Sequence, residues 1–262
     1  MGILNLTPDS FSDGGAYDSF EAALNRVGEM LEEGADIIDI GGYSSRPYAD
    51  PVSAEEELER IHEITSRIIK EYPEALISID TFRASVASSM LDLGVHIIND
   101  ISAGEIDPEL MSVVAKQGSV PYIMMHMKGT PQTMQDQPQY DNITEEVWAF
   151  FVGKINEARK IGIKDIVLDP GFGFGKTISH NYELLYRLNR FSLLDLPILV
   201  GISRKSMMYK FFDTVPTDVL PIATALHLKA IESGAHLIRT HDVKEVVRVI
   251  ELTTYLQEHG II

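Results

Sequence analysis

Eight times along this 262-residue chain a short apolar run gives way to a stretch of helical periodicity. That alternation restricts the fold more than any single residue does. The runs are Met1–Asn5, Ala35–Ile40, Leu76–Asp80, Val95–Asn99, Val120–Met125, Asp165–Leu168, Pro197–Gly201 and Ala235–Arg239. Each is too short for a helix and right for a buried strand. Strands that alternate with helices pair in parallel, because every helix returns the chain to the end where the last strand began. The periodicity predicts helices over Ser19–Gly34, Ser53–Tyr72, Arg83–Leu93, Asp107–Gln117, Asn142–Lys160, His180–Phe191 and Val243–Glu258, with one or two more between Lys205 and Ser233. Gly34, Gly94 and Gly118 serve as stops. Ser53 and Glu56 have capping-box spacing.

Eight units in this length predict an α/β fold, a (β/α)8 TIM barrel. A doubly wound open sheet is the competitor, but eight regular units exceed what most such sheets use. Connections are short and no Pro/Ser-rich linker interrupts them, so residues 1–262 are expected to form one domain.

The totals exclude several function classes. Lys and Arg number 22 against 39 Asp and Glu, a net charge of −17, which argues against a nucleic-acid or acidic-membrane binder. There is no cysteine, hence no disulfide, thiolate metal site or thiol nucleophile. No apolar run is long enough to span a membrane and no signal pattern opens the chain, so a cytoplasmic location is expected.

Asp169-Pro170-Gly171-Phe172-Gly173-Phe174-Gly175-Lys176-Thr177 follows the sixth strand. It resembles a phosphate-binding P-loop and fails as one, because Pro170 stands where the first glycine is required. Its glycines also miss the dinucleotide spacing. What remains is a strand-end acid beside a flexible turn, with Phe174 expected as an exposed ring that touches ligand.

Asn5, Asp39, Asp80, Asn99, His126, Asp169, Ser203–Lys205 and Arg239–His241 all stand at strand ends, which a barrel gathers on one rim. Paired Asp and Asn suit a ligand with several ring donors and acceptors. Arg46, Arg239 and His241, with Asn5, suit a phosphate or pyrophosphate. The alternative pairs these cations with the rim carboxylates. Ser203–Ser206 precedes a helix start, which favours anions or simply caps a helix. Histidine spacing gives no metal pair, so a metal would be a hard ion on oxygen ligands such as Asn5 and a substrate phosphate. No Ser-His-Asp pattern appears. Met124, Met125 and Phe11 are core or cleft wall, and Glu55–Glu57 read as a solvated face.

Eight segments in order resemble the dihydropteroate synthase family: Met1–Gly15, Asp39–Pro47, Ile77–Thr81, Asn99-Asp100 with Ala103-Gly104, Met125–Gly129, Asp169–Thr177, Ser203–Ser206 and Arg239–Val243. The resemblance implies a homodimeric TIM barrel. Its reaction joins 6-hydroxymethyl-7,8-dihydropterin diphosphate to 4-aminobenzoate, releasing pyrophosphate with Mg2+, at a pocket that sulfonamides target. It implies that Asp80, Asn99, Asp169, Phe174, Gly201 and Lys205 hold the pterin. Asn5, Arg46, Arg239 and His241 would hold the diphosphate, with Asn5 also near the metal. Phe11, Ser45, Pro47, Lys205 and Ser206 would frame the aminobenzoate. Asp80, Lys205, Asp13 and Arg46 would be catalytic, with the loops Thr7–Gly15 and Gly41–Pro51 closing over the site.

Departure of pyrophosphate builds negative charge on the leaving group and positive charge on the pterin methylene. Cations and Mg2+ suit the first and Asp80 with Asp13 the second, which predicts dissociative substitution. The chain departs from the family pattern at Tyr43 and Ser45, where Glu and Thr are usual, and at Pro221–Thr224. The family ordinarily has more chain before strand one, often a hairpin that closes the base of the barrel. The competing readings are a pterin-dependent methyltransferase and a non-catalytic pterin-binding homologue.

Overall fold

The structure is a computed structural model that describes residues 1–6, 16–44, 51–134 and 138–261. Eight parallel strands alternate with helices: β1 (Gly2–Asn5), α1 (Ala16–Glu32), β2 (Ile37–Gly41), α2 (Ala54–Glu71), β3 (Leu76–Asp80), α3 (Ala84–Leu93), β4 (Ile97–Asp100), α4 (Glu109–Gln117), β5 (Tyr122–Met125), α5 (Ile143–Ile161), β6 (Ile166–Asp169), α6 (Ile178–Tyr186), β7 (Leu199–Val200), α7 (Ser206–Tyr209), α8 (Leu220–Glu232), β8 (Leu237–Ile238) and α9 (Val243–Glu258). Strands β1 to β6 form one continuous sheet in chain order, and β7 pairs with β8.

Two single bridges join these sheets into a ring, Leu168 with Ile198 and Gly2 with Thr240. Ile3 N donates to Thr240 O at 3.0 Å, and Thr240 N to Met1 O at 3.0 Å. The expected barrel is therefore closed.

Side chains alternate along each strand. Those turned outward, including Ile38, Ile40, Ile77, Ile79, Ile98, Met124, Leu168 and Val200, pack against the helices in the main core. Those turned inward form two layers. The lower layer is apolar: Ile97, Ile123 and Leu199, joined by Met1, Ile37, Val167 and Leu237. Two residues further along the same strands stand Asn99, Met125, Gly201, Asp39, Asp169 and Arg239. The barrel interior is thus apolar at one end and polar at the other.

Several element ends differ from expectation for local reasons. Ser53 caps α2 by accepting from Glu56 N at 3.1 Å, but the Glu56 carboxylate turns to Arg60 at 2.7 Å, so the box is half made. A full capping box forms instead at Thr177 and His180, starting α6 two residues early. That helix breaks at Arg187 into a 3-10 turn over Leu188–Leu194. Strand β4 runs through Asp100, and α4 begins at Glu109, its first N–H bound by Asp107 Oδ1 at 3.1 Å. Asp107 Oδ2 also accepts from Ala84 N at 2.8 Å, securing the start of α3. Glu57 is fully buried rather than solvated, ion-paired with Arg83. No described helix is long and apolar enough to cross a membrane.

Candidate active site

The polar layer is knitted by one guanidinium. Arg239 donates from Nε to Asp39 Oδ2 at 2.6 Å and from Nη2 to Asp80 Oδ2 at 2.9 Å. Asn99 Nδ2 donates to the same Asp39 oxygen at 3.0 Å. Strands β2, β3, β4 and β8 are thereby joined across the interior. Asp39 is fully buried, and its Oδ1 has no hydrogen-bond partner among the described residues. The pairing of rim cations with rim carboxylates is therefore formed for Arg239.

These groups perturb one another. Burial raises the Asp80 carboxyl to about 7; Arg239 opposes the rise, while the charges of Asp39 and Glu57 add to it. Burial works against the Arg239 charge, yet Asp39 and Asp80 outweigh it and raise its pKa. Burial also raises Asp169, opposed by a hydrogen bond from Gly171 N–H and by Lys205; that bond is 2.8 Å long. Lys205 is pushed down to about 8 by burial and by Arg239, against the pull of Asp169 and Asp80. The result is a carboxyl and an ammonium that both change charge near neutrality, a property concentrated at functional sites.

Lys205 lies with Nζ 4.1 Å from the centre of the Phe174 ring. Phe174 is buried at 8 % exposure, not exposed as expected. It belongs to an apolar cluster at the rim with Phe82, Ile101, Met125, Met127 and Met134, against which Tyr43 packs. Tyr43 also meets Phe82 edge-on at 5.0 Å and accepts a 3.0 Å hydrogen bond from Gln132 Nε2. That bond ties the loop after β2 to the loop after β5. Met125 is cleft wall and Met124 is core.

His241 does not supply a positive charge. Burial lowers its pKa to about 3, aided by Arg239 and Arg204. Its Nδ1 lies 3.1 Å from Ser203 Oγ, and Ser203 Oγ also accepts from His241 N at 3.2 Å. Arg204 Nη2 donates to Asp242 Oδ1 at 2.6 Å. The Ser203–Ser206 segment thus locks the loop after β7 to the loop after β8. The helix it opens is a single turn, too short to sum peptide dipoles for anion binding.

Asn5 is half-buried at the end of β1, in register with Gly41. A methyl group on Gly41 would lie 3.4 Å from Asp80 Cβ and 3.8 Å from Asn5 Oδ1, so Asn5 and Asp80 flank one bare patch of backbone. Gly201 is half-exposed on the opposite side beside Arg239. Ser206 is half-exposed at the first position of α7. No cluster of three or more His, Cys, Asp or Glu that would cage a metal occurs among the described residues. Phe11, Asp13, Ser45, Arg46 and Pro47 lie outside the described residues.

One residue of the recognised segments proves to be scaffold. Asp100 points away from the interior and is fully buried. It accepts from Ser102 N at 2.7 Å, Gly104 N at 2.6 Å and Tyr122 OH at 2.5 Å. It thereby organises a turn in which Ala103 and Gly104 have φ of 50° and 76°. Asp39, expected on the rim but not among the residues the family resemblance assigns to a substrate, is the hub of the polar layer. The signal was available in its i, i+2 spacing from inward Ile37.

The chain matches the family model described as Pterin binding enzyme over residues 1–241. It is 45 % identical to the dihydropteroate synthase of Escherichia coli K12, across 99 % of this chain and 93 % of that protein. A crystal structure of the Yersinia pestis dihydropteroate synthase with a sulfonamide drug complex superposes with a TM-score of 0.92 at 40 % identity, covering 98 % of this chain and 94 % of that one. The Xanthomonas albilineans dihydropteroate synthase with 4-aminobenzoic acid gives 0.91 at 39 % identity, covering 98 % and 92 %. The fold, the polar rim and these likenesses agree, and the chain belongs to the pterin-binding enzyme family, among its dihydropteroate synthases.

Proposed function

We propose that this barrel rim joins 6-hydroxymethyl-7,8-dihydropterin diphosphate to 4-aminobenzoate, giving 7,8-dihydropteroate and pyrophosphate for folate synthesis. The observation that carries the reading is the inward ring of Asp80, Asn99, Asp169, Lys205 and Arg239, set on the rim of a barrel whose relatives are dihydropteroate synthases. A pterin presents an amide and an amino-substituted ring, which paired carboxylates and an Asn amide match by hydrogen bonding. Asp80, Asn99 and Asp169 take that edge, with Lys205, Phe174 and Gly201 beside the ring.

The diphosphate belongs near Asn5, Arg46, Arg239 and His241. Arg239 already spends two donors on Asp39 and Asp80, so it meets the diphosphate by its remaining donors or by leaving Asp80. Neutral His241 donates a hydrogen bond rather than a full charge, until a phosphate beside it raises its pKa. The oxygen of Asn5 beside bare Gly41 fits a hard ion shared with a diphosphate rather than caged by protein. Mg2+ there would neutralise charge growing on the departing pyrophosphate.

Asp80 in its ionised form stabilises the positive charge developing at the pterin methylene, with Asp13 as the partner from the loop after β1. Phe11, Ser45, Pro47, Lys205 and Ser206 border the incoming aminobenzoate, and closure of the two loops excludes water from the cation. The step is a dissociative substitution with no covalent enzyme intermediate. A homodimer and a cytoplasmic location accompany this reading.

The test is a paired measurement of pyrophosphate release and dihydropteroate formation, with and without aminobenzoate and Mg2+. Equal amounts of both products are expected. Tight pterin binding by folded protein without product would overturn the reading in favour of a binding homologue. A pterin adduct trapped on a side chain would overturn the dissociative step alone.

A further inference from the structure

Lys176 has the sequence position of a nucleotide-loop lysine and none of its geometry. Its side chain turns inward beneath the glycine-rich loop and is 3 % exposed. Its Nζ lies 2.9 Å from His126 Nδ1, 3.2 Å from His126 O and 2.9 Å from Phe174 O. The amine is matched to one ring nitrogen and two carbonyl oxygens, and which of Nζ and Nδ1 donates between them follows the imidazole tautomer. Among the described residues no carboxylate is hydrogen-bonded to it. Two of these partners belong to the loop after β5 and one to the loop after β6.

The two loops are pressed together along their length. Gly171 has φ of 72°, and a methyl group there would overlap His126 O. Gly175 has φ of 64°, and a methyl group there would strike Lys128 O. Tyr140 OH donates to Gly175 O at 2.8 Å. Gly173 N donates to Asn181 Oδ1 at 2.6 Å, and Asn181 Nδ2 donates to Thr177 O at 2.7 Å. The glycines admit close backbone approach, and Lys176 binds the carbonyls of both segments. Phe174, which supplies one of those accepting carbonyls, carries the ring that faces Lys205 at 4.1 Å.

We propose that Lys176 is a positioning residue for the synthase reaction: its buried amine clasps the β6 loop to His126 and so fixes the Phe174 ring against Lys205. The inference rests on the reading of this rim as the pterin site. Neutral His126 suits the role. Burial and the nearby Lys176 hold its pKa at about 2, so the ring stays neutral and Nδ1 keeps its hydrogen bond with the amine throughout the working range. Burial holds the Lys176 pKa well below its ordinary value; Asp169 opposes the fall and Lys205 adds to it.

The experiment compares the full-length wild type with Lys176→Met, Phe174→Ala and the double variant. It reads KM for both substrates, kcat, the pH profile and the melting temperature. Lys176→Met keeps the length and removes the three hydrogen bonds. The expected result is a rise of roughly tenfold to a hundredfold in KM for the pterin substrate, the scale of a misplaced contact group. The basic limb of the pH profile should also shift as Lys205 loses its fixed neighbour. In the Phe174→Ala background Lys176→Met should change that KM by less than about twofold, since both act through one ring.

Multiplicative losses, or an unchanged pterin KM in folded Lys176→Met, would overturn the proposal. If Lys176→Met does not fold, His126→Leu removes the ring nitrogen and leaves both carbonyls. It should raise the same KM in the same direction by a smaller factor, and no rise overturns the proposal. Failure of the underlying reading would show separately, as absence of dihydropteroate from the wild type.

Discussion

Replacing Asp39 with asparagine isolates one charge in the polar layer. Both bonds that Asp39 accepts, from Asn99 Nδ2 and Arg239 Nε, end on Oδ2. An asparagine whose carbonyl takes the Oδ2 position keeps both, and its amide enters the place of unpartnered Oδ1. Asp80 then loses a repelling neighbour and gains a larger share of Arg239, and both changes lower its pKa. Asp39 and Asp80 contact one guanidinium at 2.6 and 2.9 Å, and two unit charges about 5 Å apart interact by ~1 kcal/mol in water and ~3 kcal/mol at an effective dielectric near 20. That corresponds to roughly one to two pH units.

With ionised Asp80 required for turnover, the acid limb of kcat/KM should move down from about 7 in the wild type by that amount in Asp39→Asn. The assay is the pH dependence of kcat/KM for the pterin substrate, with product measured directly. A melting curve run in parallel should show a loss of about 1–3 kcal/mol, from the amide hydrogens left without acceptors. An acid limb that stays in place or moves upward would refute the contribution of the Asp39 charge to the raised Asp80 pKa.

Other consequences are open to equally direct measurement. Gly171→Ala combines a positive φ with overlap on His126 O and should cost about 3 kcal/mol or more, while Gly118→Ala, also at positive φ but with open space around it, should cost about 1 kcal/mol; equal losses in urea titrations would contradict the close approach. His227 is buried with its pKa lowered to about 4, and its Nε2 has no hydrogen-bond partner among the described residues. Below about 6.5 the unfolded chain takes up a proton that the folded one refuses until about 4, so this group's contribution is complete above 6.5 and is lost as pH falls through that window. His227→Leu should therefore flatten the decline in unfolding free energy between pH 6.5 and 4, and an unchanged slope would exclude it as the source. Tyr43→Phe keeps the ring against Phe82 and removes the bond from Gln132; it should raise KM for aminobenzoate a few-fold through the loop after β2 with kcat little altered, on the scale of one neutral hydrogen bond. No change in that KM would show that the tie between the two loops has no bearing on the site.

The alternation of strand and helix made the barrel legible, because period-2 and period-3.6 patterns are both local properties of a chain. The rim residues followed, since a closed parallel ring leaves nowhere else for Asp80, Asn99, Asp169 and Arg239 to go. What was not legible depended on direction and partnership. Phe174 reads as exposed beside three glycines, yet those glycines let its loop sink until the ring is covered. His241 reads as a charge until Arg239 and burial remove it. Glu57 looks like its neighbours Glu55 and Glu56, and only the turn of α2 sends it inward to Arg83. Asp100 and Asn99 are adjacent, but a strand places them on opposite faces, so one serves the interior and the other serves a turn.

Strands β7 and β8 pair over two residues each, and single bridges join them to the rest of the ring. One bridging residue, Thr240, sits between Arg239 and His241. The barrel is like a cask with one loosely jointed stave, and the cations of the site are mounted on that joint. A ligand gripped by Asp80 and Asn99 on one side and by Arg239 and Lys205 on the other acts as a hoop. Part of its binding free energy then goes into holding the ring shut. Affinity and closure of the fold become one quantity, so sequence change that loosens the seam weakens substrate binding before it unfolds the barrel.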